Sequence, residues 1–80
     1  MEKFGEVGII FYNESFEVIW VNDFLDSRRI NIVGKNIIKY NNAFCLITED
    51  KHESIKLNIE NRVYECKCLR ELKMIIMKDT

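Results

Sequence analysis

Ile55-Lys56-Leu57-Asn58-Ile59-Glu60-Asn61-Arg62-Val63-Tyr64-Glu65-Cys66 is the stretch that decides the fold. Ile55, Leu57 and Ile59 alternate with Lys56, Asn58 and Glu60, the period-two pattern of a strand with one face buried. A two-residue turn at Glu60-Asn61, where asparagine tolerates positive φ, pairs residues whose numbers sum to 121. Leu57 then faces Tyr64, Ile55 faces Cys66, and Lys56 meets Glu65 on the other face. Apolar meets apolar and opposite charges meet, as cross-strand energetics favour. A slip of one residue would carry lysine and glutamate into the core, so the register is specified.

Beyond this hairpin, a three-residue turn at Leu69-Arg70-Glu71 is expected to lead into a strand Leu72–Lys78, with Cys66 opposite Met74 and Tyr64 opposite Ile76. Toward the N-terminus, Val7–Tyr12 and Phe16–Val21 flank Asn13-Glu14-Ser15 and predict a first hairpin. About thirty residues of different texture lie between. Asn22 is a good helix N-cap before Asp23-Phe24-Leu25-Asp26, whose acidic residues suit a first turn. Gly34 punctuates the segment, and Ile37, Ile38, Phe44, Leu46 and Ile47 supply apolar positions for short helices against the sheet. The order β-β-α-α-β-β-β predicts an α+β domain: a five-stranded antiparallel sheet with short helices on one face.

Eighty residues make one domain, spanning 1–80, with a small core. Twelve basic against thirteen acidic residues leave a net charge of −1. No strong field exists to hold nucleic acid or an anionic membrane, and lysine and arginine do not gather around aromatics. The longest largely apolar run, Val7–Tyr12, falls far short of the roughly 20 residues a membrane helix needs. Three cysteines cannot complete a disulfide framework, which fits a reducing cytoplasm. Val7–Tyr12 is apolar at nearly every position, and the expected register turns Ile75 and Met77 outward. Ile10, Ile19, Val21 and Val63 join them in an outer patch, predicting a homodimer through the outer sheet face.

With this order in hand, Phe16-Glu17-Val18-Ile19-Trp20-Val21-Asn22, Ile32-Val33-Gly34-Lys35-Asn36-Ile37 and the closing Met77-Lys78-Asp79-Thr80 resemble a reduced Per-Arnt-Sim (PAS) sensor domain. More narrowly, Val7–Asn13, Trp20–Phe24 and Asn61–Glu65 are similar to the PAS domain of GdpP-type cyclic-di-AMP phosphodiesterases. The resemblance implies a regulatory domain excised from a larger, membrane-anchored protein, in contact with the other domains of that parent. Those include a degenerate GGDEF domain and a metal-dependent DHH phosphodiesterase. No Asp-His-His run occurs here, and a single histidine cannot build a two-metal site, so the chain itself is not expected to be an enzyme.

The resemblance also implies haem. Iron is usually held by His, Cys, Met or Tyr. His52, the only histidine, sits in the polar stretch Thr48–Ser54 and reads as a solvated loop residue. Tyr64 and Cys66 point inward and could approach a ligand, or could simply fill the core. Enclosure by Ile9, Phe11, Trp20, Phe24 and Ile37 is expected to matter more than axial ligation. The alternative is a PAS-shaped interaction module with a filled core and no ligand. Cys45, His52, Cys66 and Cys68 are a poor zinc set, because ligands two apart on a strand do not converge. Gly34-Lys35 lacks the rest of a phosphate-binding loop and reads as a turn.

Overall fold

The computed structural model describes residues 7–80. Five strands, β1 (Val7–Tyr12), β2 (Val18–Val21), β3 (Ile55–Ile59), β4 (Arg62–Leu69) and β5 (Met74–Asp79), form one sheet in the order β2-β1-β5-β4-β3. Every neighbouring pair is antiparallel. Helices α1 (Asp23–Ser27), α2 (Ile37–Tyr40) and α3 (Cys45–Thr48) follow β2, with a 3₁₀ turn at Asn42–Phe44 before α3. The chain leaves the sheet at one edge, β2, and re-enters at the other, β3. The segment between must therefore cross a whole sheet face, and it covers that face as it goes. Helix α1 packs on β1, the Asn42–Phe44 turn on β3, and α3 on β4.

Asparagines organise this crossing. Asn22 Oδ1 accepts from the Leu25 amide at 3.4 Å, capping α1, and from the Ile9 amide at 3.1 Å. Its Nδ2 donates to the Val7 carbonyl at 2.8 Å. One side chain thus caps a helix and continues the β1 ladder where β2 departs. Asn36 caps α2 through the amides of Ile38 and Lys39, and Asn41 caps the 3₁₀ turn through Ala43. Gly34 takes φ +89°, the left-handed region that a turn glycine reaches without cost.

The first pairing stands as expected. Ile55 faces Cys66, Lys56 faces Glu65 and Leu57 faces Tyr64. Glu60 and Asn61 both adopt positive φ, 55° and 65°, as a two-residue hairpin turn requires. The β4–β5 pairing differs. Tyr64 faces Asp79, Cys66 faces Met77, and Leu69 faces Met74. The connection occupies four residues, a 3₁₀ turn at Arg70–Leu72 plus Lys73 at φ 51°, so the strands meet three positions away from the three-residue-turn register. An odd shift exchanges the faces of β5. Ile75 and Met77 are fully buried on the helix side, and Met74 and Ile76 lie on the outer face.

β2 is also shorter than expected. Phe16 has φ 63° and stays in the turn, stacked on Tyr12 at 5.7 Å between ring centroids, and Glu17 bridges to Asn36. A bulge between Phe11 and Tyr12 leaves Ile19 as the extra residue of β2.

The core lies between the sheet and the crossing segment. Ile10, Leu25, Ile37, Phe44, Tyr64, Cys66, Ile75 and Met77 have no exposed surface. Gly8 completes the inner face of β1 beneath Leu25. A Cβ at Gly8 would lie 2.6 Å from Leu25 Cγ, and Leu25 is itself fully buried in the core. Gly8→Ala is expected to destabilise the fold by about 1–3 kcal/mol through overpacking. Thermal melts of Gly8→Ala, Leu25→Ala and the double variant should give costs well below additive for the pair, because the small side chain at 25 removes the clash.

Candidate functional site

The residues expected to enclose a ligand are divided by the sheet. Ile37, Tyr64 and Cys66 sit on the inner side, each fully buried within the core. Ile9 and Phe11 alternate with buried Gly8, Ile10 and Tyr12, so they project from the outer face, and Trp20 pairs with Phe11. Phe24 is partly buried on α1, with the Arg28 guanidinium 4.5 Å above its ring. No single cavity can be lined by this set, because five strands of backbone separate Ile9, Phe11 and Trp20 from the rest. The cause is β1: with Gly8, Ile10 and Tyr12 committed inward, its odd-numbered side chains must face out.

The inner side is occupied by side chains. Tyr64, Phe44, Ile10, Leu25, Ile30, Ile37, Ile75 and Met77 are its largest fully buried groups. Burial, and then the neighbouring Glu65 charge, pushes the Cys66 thiol up to about 12, a packed and protonated sulfur rather than a thiolate donor. Tyr64 Oη accepts from Arg28 at 3.4 Å. Haem at this set does not fit the side chains as packed. His52 is exposed beyond α3, its amide donating to the Leu46 carbonyl at 2.8 Å. Cys68 Sγ and Tyr12 Oη share a hydrogen bond at 3.2 Å, and burial, then that bond, raises the tyrosine well above its ordinary range. Among the described residues no group of three His, Cys, Asp or Glu side chains gathers.

Where the sheet ends, Arg28 links α1 to the last strand. Its Nη1 lies 2.8 Å from Asp79 Oδ2, and Arg62 approaches the same oxygen at 3.5 Å. The bond to Asp79, then that to Tyr64, raises the Arg28 guanidinium further. Helical cover and C-terminal strand are thereby joined by a partly buried, charge-assisted contact.

The outer face is the surface that remains. The register arranges it in rows across the strands. Trp20, Phe11, Met74 and Leu69 make one apolar row, and Ile9 and Ile76 continue a second that ends in Lys67. Val7, Lys78, Glu65 and Lys56 make a third, in which Glu65 stands between two lysines. Phe11 and Trp20 are in contact, 5.6 Å between ring centroids, yet Trp20 remains 48% exposed and Leu69 43%. A depression of about 260 Å³ lies among Val7, Glu65, Lys67, Ile76 and Lys78. The outer face differs in membership from the expected patch. Ile10, Ile75 and Met77 belong to the core and Val21 packs against it, leaving Ile19 and Val63 exposed as anticipated. Met74 and Ile76 were the missed members; Lys78, which must stay in water, was the signal that even-numbered β5 residues face outward.

Among the described residues no helix is long and apolar enough to cross a membrane. The family model described as cyclic-di-AMP phosphodiesterase GdpP-like, PAS domain, matches residues 6–80. No curated protein and no solved structure gives a match.

Proposed function

Because this chain belongs to the family of PAS domains of GdpP-like cyclic-di-AMP phosphodiesterases, we propose that it is a regulatory domain that controls a phosphodiesterase domain of its parent protein, acting by contact through its outer sheet face. The observation that carries this reading is the contrast between the two sides of the sheet. The inner side is filled, while the outer side presents Phe11, Trp20, Met74 and Ile76 to whatever lies against it. Strand β5 joins the two roles: Met74 and Ile76 contribute to the outer face, and Asp79 at its end holds Arg28. A contact that favours one packing of β5 over another can bias whatever follows the strand, by as much as it prefers that packing. An internal haem is the less favoured reading, since it would have to displace Phe44 and its neighbours.

The test is phosphodiesterase activity of a GdpP-like enzyme whose PAS segment is replaced by this chain. Ile76→Asp puts a carboxylate in the centre of the outer face without touching the core. It is expected to change the rate at least threefold, with the melting temperature of the isolated domain little altered. Equal rates for the two versions would overturn contact through this face. A haemin titration of the isolated chain should be featureless, and a saturable one-to-one Soret shift would favour the internal-ligand reading instead.

A further inference from the structure

We infer that the open edge of β3 pairs with the same edge of a second copy of the chain, antiparallel, so that the two sheets become one. The two outer strands of the sheet end differently. At β2 the segment after α1 supplies a partner: the Val18 amide donates to the Lys35 carbonyl at 2.8 Å, and the Gly34 amide to the Val18 carbonyl at 2.8 Å. At β3 nothing does so among the described residues. Ile59 and Arg62 flank the two-residue turn and exchange hydrogen bonds, so Leu57–Tyr64 and Ile55–Cys66 are the next bonded pairs. The N–H and C=O groups of Lys56 and Asn58 therefore point away from β4, with no protein partner among the described residues. Residual exposure of the apolar core gathers at the same edge: Ile59 at 9% and Leu57 at 6% are its most exposed members.

The edge complements itself in one register. Bonding groups of both copies must meet, so the residue numbers across the junction sum to an even value. A sum of 114 pairs all five residues of the strand: Leu57 meets Leu57 on the two-fold axis, Ile55 meets Ile59, and Lys56 meets Asn58. Apolar side chains then continue the inner face, and each Lys56–Asn58 pair exchanges both main-chain bonds. A sum of 112 sets Lys56 directly against Lys56, and 116 runs into the left-handed Glu60-Asn61 turn. A lysine on an edge strand ordinarily deters addition of another strand. Here it excludes the lysine-on-lysine register and leaves the full-length one open. Two five-residue edges bury well under the roughly 1,200 Å² of a stable complex. The isolated chain therefore associates weakly, with a dissociation constant on the order of 1 mM. Copies held on one assembly reach that effective concentration.

The test is dilution of the isotope-labelled chain from about 2 mM to about 0.05 mM, read by NMR. The Lys56 and Asn58 amides should shift with concentration and gain protection from exchange, while the resonances of Phe11, Trp20 and Ile76 stay in place. In a mixture of labelled and unlabelled copies, an α-proton contact between Ile55 and Ile59 should report the register, since the two lie about 13 Å apart within one strand. Asn58→Glu faces Lys56 of the other copy and should strengthen pairing about tenfold, and Asn58→Lys should weaken it as much. Position 58 is exposed, and unchanged core resonances check that each variant is folded. Raising the salt should narrow the difference between the variants. Spectra of the wild type or of Asn58→Glu that do not change on dilution overturn the proposal, as does equal association of the two variants. So do shifts confined to Phe11, Trp20 and Ile76, which belong to a contact through the outer face. The edge and that face are separate surfaces, so failure here leaves the phosphodiesterase test standing.

Discussion

Phe44→Ala is expected to lower the melting midpoint by at least about 12 °C and to leave much of the protein unfolded at 37 °C. Phe44 lies in the 3₁₀ turn against β3 and has no exposed surface. Truncating a fully buried phenylalanine costs about 3–5 kcal/mol, the lost transfer energy plus the cavity left behind. A domain of this length has only about 4–12 kcal/mol in total. Collapse around the gap is opposed on both sides. The sheet below is hydrogen-bonded through five strands, and the segment above is held by Asn36 and Asn41 at successive turn starts. Phe44→Leu keeps most of the volume and should cost less than about 1.5 kcal/mol. Thermal melts by circular dichroism compare the two; a shift below about 4 °C for the alanine variant would mean that the ring is not enclosed.

How much of this was legible in the amino-acid sequence depends on how sharply each strand separates its faces. In Ile55–Cys66 the apolar Ile55, Leu57 and Ile59 alternate with polar residues and find Cys66 and Tyr64 opposite the first two, a lysine and a glutamate oppose each other, and the turn must be two residues long. All five pairs fall where arithmetic puts them. Met74-Ile75-Ile76-Met77 offers no such contrast, being apolar four times in succession, so either face could have been the inner one. The true register is marked by Lys78 opposite Glu65 and by Cys68 opposite Ile75, and the choice turns on a 3₁₀ turn that no glycine or proline announces. β1 is equally ambiguous. Ile9 and Ile10 are the same residue type, yet one is outer surface and the other has no exposure. Gly8 decides between them only once Leu25 is seen above it. The candidate site inherited that ambiguity: Tyr64 and Cys66, from the legible strand, are inside as anticipated, and Ile9, Phe11 and Trp20, from the illegible hairpin, are outside.

Cys66 makes the stability of this domain sensitive to alkali. The thiol has an ordinary value of 9.0 and is pushed up to about 12 in the fold, by burial first and by the Glu65 carboxylate second. Only the unfolded chain ionises it between those values, so over that window the unfolded state binds fewer protons than the folded one. Stability is therefore fully present below pH 9 and declines above it, by about 1.4 kcal/mol for each pH unit attributable to this group. Tyr12 acts in the same sense at higher pH, since burial, then its bond to Cys68, keeps its phenol protonated in the fold. Urea unfolding at pH 8, 9 and 10 should show the decline in the wild type. Cys66→Ala leaves Tyr12 and Cys68 in place but removes the titrating thiol. It should start from a lower stability at pH 8 because of the lost sulfur, and then fall less steeply between pH 9 and 10. Parallel curves for the two proteins would mean that the Cys66 thiolate forms in the fold nearly as readily as in the unfolded chain. The sulfur could not then be sealed beneath the crossing segment, and the filled interior on which regulation by outer contact depends would be open to solvent.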